Sequence, residues 1–274
     1  MAYFQTDDGL NLHYTDTGSG LPILCLAGLT RDGRDFDFVA PHLAGYRLIC
    51  LDSRGRGASD YAPDHSTYTV PAEAQDALAL LDHLNLPSAA ILGTSRGGLL
   101  AMFLAATARD RLLGACLVDV GPVLETKALE NIAGLIGLPP TLPSYDAMEA
   151  VWPMVKPGFA NVPPGRYRAE IERLFDVVPG GLALRYDAKL RDAVAEVMAA
   201  PKVDLWPMFM ALDGLPTAVI HAKNSDLLTA QTVADMKRRM PALITTTVPD
   251  RAHIPYLDEP AALDAIHTWL KEIA

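Results

Sequence analysis

The sequence GTSRGG, residues 93–98, lies between the apolar stretch AAIL (89–92) and the long apolar-rich stretch LLAMFLAATA (99–108). These flanks predict a buried strand followed by a helix. Residues 93–97 fit the pattern G-x-S-x-G, in which a sharp strand-to-helix turn raises the serine above the sheet edge and small neighbours allow close packing. The N–H groups at the start of the helix suit a developing oxyanion. The stretch indicates a nucleophile, Ser95; the alternative is a glycine-rich structural turn.

Outward from this turn, short apolar stretches alternate with helical patterns. Residues 2–20 predict a hairpin around Asp8-Gly9, and helices are predicted at 36–43, 70–86, 229–240 and 259–273. Further buried strands are predicted by PILCLAG (22–28), YRLICLD (46–52), GACLVDVG (114–121), PTAVIHA (216–222) and LITTTVPD (243–250). This alternation predicts an α/β fold with a mostly parallel twisted sheet and helices on both faces.

The middle of the chain interrupts the alternation. Eleven of the 21 prolines lie between Pro122 and Pro207, and helical patterns occur at 165–175 and 187–198 without a convincing buried strand. A structureless loop of this length is rare in a compact domain. We therefore predict a core formed by residues 1–120 and 211–274, with a helical insertion at 121–210 over one end of the sheet.

Composition narrows the classes of partner. A formal net charge of −10 and a pI of about 5.1 disfavour nucleic acid and anionic membranes. Apolar stretches are too short to span a bilayer, and the N-terminal sequence does not resemble a secretory signal. The cysteines at 25, 50 and 116 lie in predicted buried strands without a disulfide spacing. These features predict a cytoplasmic protein with a small-molecule substrate; they do not predict its oligomeric state.

A serine nucleophile needs a general base. Of the seven histidines, His253 alone lies in a loop between the last predicted strand and the last predicted helix, in DRAHIPYLDEP (250–260). Loops at the carboxyl edge of a parallel sheet are where catalytic groups gather. His253 is therefore the predicted base; the alternative is a surface loop histidine.

Taken together, LAGLTRDGRDF, LDSRGRGASD, ILGTSRGG, LVDVGP, IHAKNSDLLT and AHIPYLDEP resemble, in order, the strand-end motifs of the α/β-hydrolase superfamily. The resemblance extends over essentially the whole chain. It implies the α/β-hydrolase fold with a helical lid, here the insertion, and acyl-enzyme chemistry without a metal or an organic cofactor. It also implies an oxyanion hole built from the backbone N–H groups of Leu29 and Arg96. The family often has His-Gly before the first donor, where this chain has Ala27-Gly28.

The acid that orients the base has two candidates. In the usual layout of the family, the acid ends the strand before the last; laid without gaps, that position holds Ser225, and Asp226 follows one residue late. Asp119 ends the strand after the nucleophile helix, where some dehalogenase-like and lactonase-like members carry their acid. Either carboxylate could hold the imidazole in the right tautomer, and the alternatives stay open at this point.

Three further residues are predicted to contact substrate. Arg31 follows the first oxyanion donor and could hold a carboxylate, or could tie loops together through Asp32 or Asp35. Trp152 and Trp206 lie in the insertion and could line an apolar pocket, or could only attach the insertion to the core. No metal-ligand motif is found in the sequence.

We therefore predict a serine hydrolase that cleaves a small carboxylic ester or lactone with an apolar part, through an acyl-enzyme on Ser95. One alternative is an amide or C–C bond hydrolase that uses the same residues. The other is a ligand receptor without turnover, because one fold can carry several functions.

Overall fold

The computed structural model describes residues 2–273. Their strands are β1 (Ala2–Gln5), β2 (Asn11–Gly18), β3 (Pro22–Leu26), β4 (Arg47–Leu51), β5 (Ala89–Thr94), β6 (Leu112–Val118), β7 (Phe175–Val178), β8 (Gly181–Leu184), β9 (Thr217–Ala222) and β10 (Ile244–Val248). Eight of them form one sheet in the order β1-β2-β4-β3-β5-β6-β9-β10. The pairs β1–β2 and β2–β4 are antiparallel, and all other neighbours in this sheet are parallel. The predicted N-terminal hairpin and the mostly parallel sheet are confirmed.

Helices cover both faces of this sheet. They are α1 (Val70–His83), α2 (Arg96–Thr107), α3 (Thr126–Leu135), α4 (Tyr145–Val155), α5 (Arg166–Leu174), α6 (Leu190–Ala199), α7 (Trp206–Met210), α8 (Ala230–Arg239) and α9 (Pro260–Ile273). Buried residues of α1, α2 and α8 pack on one face, and those of α9 pack on the other. Within residues 2–273, no helix combines the length and the apolar composition needed to span a membrane.

The alternation of side chains along the central strands explains this double coverage. In β3, Leu24 and Leu26 face the cluster under α1 and α2, whereas Ile23 and Cys25 face the cluster under α9. All four side chains are fully buried. A strand buried on both faces reads as a continuous apolar stretch, which is why these strands could be predicted from the sequence.

One local prediction was wrong, and one element was not predicted. The predicted helix at 36–43 is replaced by two short 3₁₀ turns, Gly33–Phe36 and Ala40–His42. Pro41 lies inside the second turn, and a proline N provides no hydrogen bond to continue a helix. The segment between β6 and β9 contains the expected helices, but it also contains the antiparallel hairpin β7–β8, which the sequence reading did not predict. This hairpin is mostly half-buried or exposed, so its strands lack the apolar pattern of the central ones.

Candidate active site

Ser95 occupies a sharp turn between β5 and α2. Its backbone has φ 50° and ψ −110°, a strained conformation for a residue with a side chain. The turn tolerates only glycine beside it: a Cβ on Gly97 would lie 1.9 Å from the Leu26 carbonyl oxygen, and a Cβ on Gly93 would lie 2.4 Å from the Gly97 carbonyl oxygen. The glycines of the motif therefore allow β3, β5 and α2 to meet at one point, where the turn carries the Ser95 hydroxyl.

The structure brings Ser95 and His253 together across 158 residues of chain. His253 Nε2 lies 2.9 Å from Ser95 Oγ, within hydrogen-bond distance. His253 follows β10 and precedes α9, as the sequence placed it. A serine hydroxyl at this distance from an imidazole can pass its proton directly to the ring nitrogen.

Asp119 lies on the far side of the imidazole. Its Oδ2 is 2.7 Å from His253 Nδ1, and its side chain is fully buried. Because a carboxylate only accepts hydrogen bonds, Nδ1 carries the proton and Nε2 is free to accept one from Ser95. The Ala222 backbone N–H donates to Oδ1 at 2.8 Å, and the Ser225 hydroxyl donates to Oδ2 at 2.6 Å. These donors fix the carboxylate against the imidazole.

The structure distinguishes between the two candidates for the acid that orients His253. Asp226 is exposed and has no side-chain hydrogen-bond partner among residues 2–273. Ser225, which the gapless alignment placed at the usual position of the acid, contacts the Asp119 carboxylate instead. Ser225 is thus a site residue that the sequence reading passed over, although its alignment position was a signal for it.

The predicted oxyanion donors lie beside Ser95. Arg96 is the first residue of α2, and the first N–H groups of a helix have no partner within it. Among the described residues, the Leu29 N–H has no hydrogen-bond acceptor either. A Cβ on Gly28 would lie 3.7 Å from the Ser95 Cβ, so the loop after β3 passes directly alongside the nucleophile. Two backbone N–H groups without an acceptor among the described residues therefore lie in the segments next to Ser95, and their role as oxyanion donors stays a prediction.

A cavity of about 580 Å³ opens over these groups. Ser95 and His253 contribute to its floor, and apolar side chains from α3, α4, β8 and the loop 136–142 contribute to its walls. Cavities of this size hold small organic ligands. The site can therefore accept a substrate whose larger part is apolar.

One end of the cavity is polar. The buried Glu170 carboxylate accepts hydrogen bonds from Lys156 Nζ at 2.5 Å and from Trp152 Nε1 at 3.0 Å, and Arg31 lies 3.4 Å away. Burial opposes ionisation of Glu170, but the charges of Lys156 and Arg31 and these hydrogen bonds outweigh it and lower its pKa from 4.5 to about 2. Glu170 is therefore a carboxylate that holds two cations at the cavity wall.

Replacing Glu170 with Gln is expected to reduce the free energy of unfolding at pH 7 by about 3 kcal/mol, because the mostly buried Lys156 loses its carboxylate partner and Arg31 keeps only Asp35. The folded pKa of about 2 lies below the ordinary 4.5, so the stabilisation is present above the ordinary value and is lost as the pH falls towards 2. The gap between wild type and Glu170→Gln should therefore shrink below about pH 5. Urea unfolding at several pH values measures it.

The control for this prediction is Glu172→Gln, because Glu172 lies on the same helix in an exposed pair with Arg168. An exposed ion pair contributes little, so this variant should unfold like wild type throughout. A stability gap for Glu170→Gln that does not change with pH would contradict the prediction.

The predicted substrate contacts occupy different places. Trp152 and Arg31 line the cavity, and Arg31 Nε also donates to both Asp35 oxygens at 2.9 Å. Trp206 does not line it; its ring packs edge-to-face on Phe209 and lies under the Arg239 guanidinium. The structure thus gives Trp206 the packing role that the sequence left as its alternative. Arg31 ties loops together through Asp35 and also lines the cavity, and its contact with substrate stays a prediction.

Comparison with known proteins agrees with the fold. The family model described as the alpha/beta hydrolase fold matches residues 22–159. The chain is 36% identical over 272 residues to the 3-hydroxybutyrate-oligomer hydrolase of Cupriavidus necator, covering 96% of this chain and 90% of that protein. It is 25% identical over 251 residues to the 2-(acetamidomethylene)succinate hydrolase of Mesorhizobium japonicum, covering 91% and 87% respectively.

A solved structure extends the likeness to three dimensions. The crystal structure of an α/β hydrolase from Novosphingobium aromaticivorans matches with a TM-score of 0.90 and 36% sequence identity, over 98% of this chain and 97% of that one. The family model spans half of the chain, and these similar proteins extend along nearly all of it. The chain therefore belongs to the α/β-hydrolase fold family.

Proposed function

We propose that the chain is a serine hydrolase that cleaves small carboxylic esters through an acyl-enzyme. The observation that carries the proposal is the hydrogen-bonded series Ser95–His253–Asp119, with separations of 2.9 Å and 2.7 Å. A nucleophile, a base and an orienting acid in this order are the requirements of acyl transfer. The cavity leads directly to the nucleophile.

The proposed reaction has two halves. Ser95 Oγ attacks the ester carbonyl carbon while His253 Nε2 takes the hydroxyl proton, and the Leu29 and Arg96 N–H groups bind the carbonyl oxygen as it becomes an oxyanion. His253 then returns the proton to the departing alcohol, which leaves an acyl group on Ser95. Water attacks that acyl group while His253 takes one of its protons. The bond between the acyl carbon and Ser95 Oγ then breaks, His253 returns the proton to Oγ, and the carboxylic acid is released. Asp119 stabilises the imidazolium in both halves.

Short oligoesters of small hydroxy acids are the substrate class that we favour. The relative from Cupriavidus necator, which aligns along nearly the whole chain, is named a 3-hydroxybutyrate-oligomer hydrolase. The cavity supports this choice because its walls are mainly apolar, as suits the hydrocarbon part of such a chain, while Arg31 and Lys156 provide cations at one end. A small lactone would use the same catalytic groups and leave much of the cavity unfilled.

An amide hydrolase is the second candidate. It is favoured by the relative from Mesorhizobium japonicum, whose named substrate contains an acetamido group. The same triad can cleave an amide, since His253 would protonate the departing nitrogen as it would an alcohol oxygen. A receptor without turnover is less well supported, because the base and the acid are both in hydrogen-bond contact.

A substrate panel tests the proposal. Purified chain would be given the linear dimer and trimer of 3-hydroxybutyrate, a simple butyrate ester, a small lactone and an N-acetyl enamide, each beside the Ser95→Ala variant. We expect the oligoesters to be cleaved with kcat/KM of about 10⁴ M⁻¹s⁻¹ or more, and the enamide at least about tenfold more slowly. Faster cleavage of the enamide would overturn the ester assignment, and a single acylation without turnover would support the receptor.

A further inference from the structure

A buried cluster of three charged side chains lies behind the nucleophile turn. Arg56 Nη1 donates to Glu73 Oε1 at 3.1 Å, and Arg96 donates to both carboxylate oxygens, Nε to Oε2 at 3.0 Å and Nη2 to Oε1 at 3.1 Å. Arg56 and Glu73 are each only 1% exposed. Neither lines the cavity, and the catalytic steps use neither of their side chains.

The two arginines lead to the two oxyanion donors. Arg96 itself supplies one N–H, and its guanidinium is held in a forked contact by Glu73. Arg56 Nε donates to the Leu29 carbonyl oxygen at 2.8 Å, so it restrains the residue that supplies the other N–H. Among residues 2–273, the Glu73 carboxylate is the only hydrogen-bond acceptor that both arginines share. It lies in the first turn of α1, which the Thr69 side chain caps at its N-terminus.

We expect this cluster to make only a small net contribution to the free energy of unfolding, although it buries three charged side chains. Burial opposes ionisation of Glu73, yet the two arginines outweigh it and lower its pKa. Arg56 Nη2 is buried and has no hydrogen-bond partner among residues 2–273. Desolvating such groups offsets much of their attraction, so a buried ion pair is weak support for a stabilising role. Its hydrogen bonds restrain both guanidinium groups: Glu73 holds Arg96 in a fork, and Arg56 donates to Glu73 and to the carbonyl oxygens of Leu29 and Arg54.

We propose that Glu73 is a positioning residue that sets the placement of both oxyanion donors, through Arg56 on Leu29 and through the Arg96 side chain on the nucleophile turn. The proposal rests on the proposed function, since it assumes that these N–H groups bind an oxyanion. Its effect falls on the transition state, because the donors bind a charge that the ground-state ester does not carry.

The test compares Glu73→Gln with Asp76→Asn. Asp76 lies on the same helix, is 3% exposed, and pairs at 2.6 Å with the Arg54 side chain, which also reaches Asp8. Arg54 contacts the cluster only through its backbone carbonyl oxygen, which accepts from Arg56 Nη1 and which the substitution leaves in place. Both substitutions remove a buried negative charge from α1. We expect Glu73→Gln to lower kcat for a butyrate ester by about 10–100-fold with KM changed less than about twofold. Asp76→Asn should leave kcat within about twofold while lowering the melting temperature comparably.

A second readout separates positioning from loss of structure. The inhibition constant of a boronic acid, which mimics the tetrahedral oxyanion on Ser95, should rise by the same factor as kcat falls in Glu73→Gln, and should not change in Asp76→Asn. If Glu73→Gln does not fold, Arg96→Met provides the same comparison, because it keeps the backbone donor and removes the forked contact with Glu73, together with the longer hydrogen bond from Nη2 to the Tyr68 carbonyl oxygen at 3.3 Å. Rescue by Glu73→Asp is not expected, since the shorter carboxylate cannot span both arginines.

Failure of the proposed function and failure of the positioning role of Glu73 would give different results. Wild-type turnover that survives in Ser95→Ala would overturn the proposed function itself. Turnover that depends on Ser95, together with an unchanged kcat and boronic acid affinity in both Glu73→Gln and Arg96→Met, would overturn the positioning role alone. Equal losses of kcat in Glu73→Gln and Asp76→Asn would also overturn it, because they would show a general effect of charge removal from α1.

Discussion

Ser95→Ala is expected to lower kcat for ester cleavage by about 10⁶-fold, the scale at which removal of a serine nucleophile leaves only binding and the oxyanion donors. The hydroxyl lies 2.9 Å from His253 Nε2, and no other serine hydroxyl among the described residues contacts that ring. Stopped-flow release of 4-nitrophenol from an activated butyrate ester measures the loss. Intact mass spectrometry of the chain after treatment with a phosphonate should show one adduct in wild type and none in the variant.

The matched control is Ser59→Ala, which removes another buried serine hydroxyl, one that donates to the Asp52 carbonyl oxygen and accepts from the His13 N–H. This variant should lose stability by about 1 kcal/mol and keep its kcat. Residual activity of Ser95→Ala above about one hundredth of wild type, with the phosphonate on another residue, would contradict the assignment of Ser95.

Asp119→Asn is expected to lower kcat by about 10⁴-fold, because the amide can donate to Nδ1 and thereby stabilise the tautomer whose Nε2 carries the proton. That tautomer cannot accept the Ser95 proton. Asp226→Asn should change kcat by less than about twofold, since this exposed side chain has no hydrogen-bond partner in the described structure. Steady-state kinetics on the same ester, with folding checked by circular dichroism, gives both values.

The pair of variants is its own control, since the sequence left both aspartates open as the acid, with a slight preference for Asp119. A large loss in Asp226→Asn with little loss in Asp119→Asn would reverse the assignment and imply that the loop 223–229 rearranges in solution. Equal small losses would mean that neither carboxylate orients His253.

The fold was predictable because its strands are buried on both faces. Leu24, Ile91 and Leu117 lie in apolar stretches whose length and spacing are typical of parallel strands, and the glycines beside Ser95 are required by contacts shorter than 2.5 Å to a neighbouring backbone. Apolar stretches and glycine positions of this kind can be recognised directly in the sequence. The hairpin β7–β8 was not predictable, because half-exposed strands carry no such pattern.

The candidate site, like the fold, has residues that the sequence could predict and residues that it could not. Ser95 and His253 could be placed from their positions at strand ends, since the carboxyl edge of a parallel sheet brings such positions together. The choice between Asp119 and Asp226 could not be made, because it depends on which carboxylate reaches an imidazole more than 25 residues away in the chain. Likewise, the cluster around Glu73 joins residues that lie far apart in sequence and share no motif.

The position of Asp119 has an evolutionary consequence. Strands β6 and β9 are neighbours in the sheet, with Val118 opposite Ile220, although about a hundred residues separate them in the chain. Asp119 is the first residue after β6, and its contacts with Ala222 and Ser225 tie the start of the intervening segment to its end. The contacts that hold Ser95, His253 and Asp119 together therefore do not involve the interior of the segment between β6 and β9. Insertions of different length or sequence can therefore replace one another between β6 and β9 during evolution. The cavity would then change while Ser95, His253 and Asp119 keep their positions.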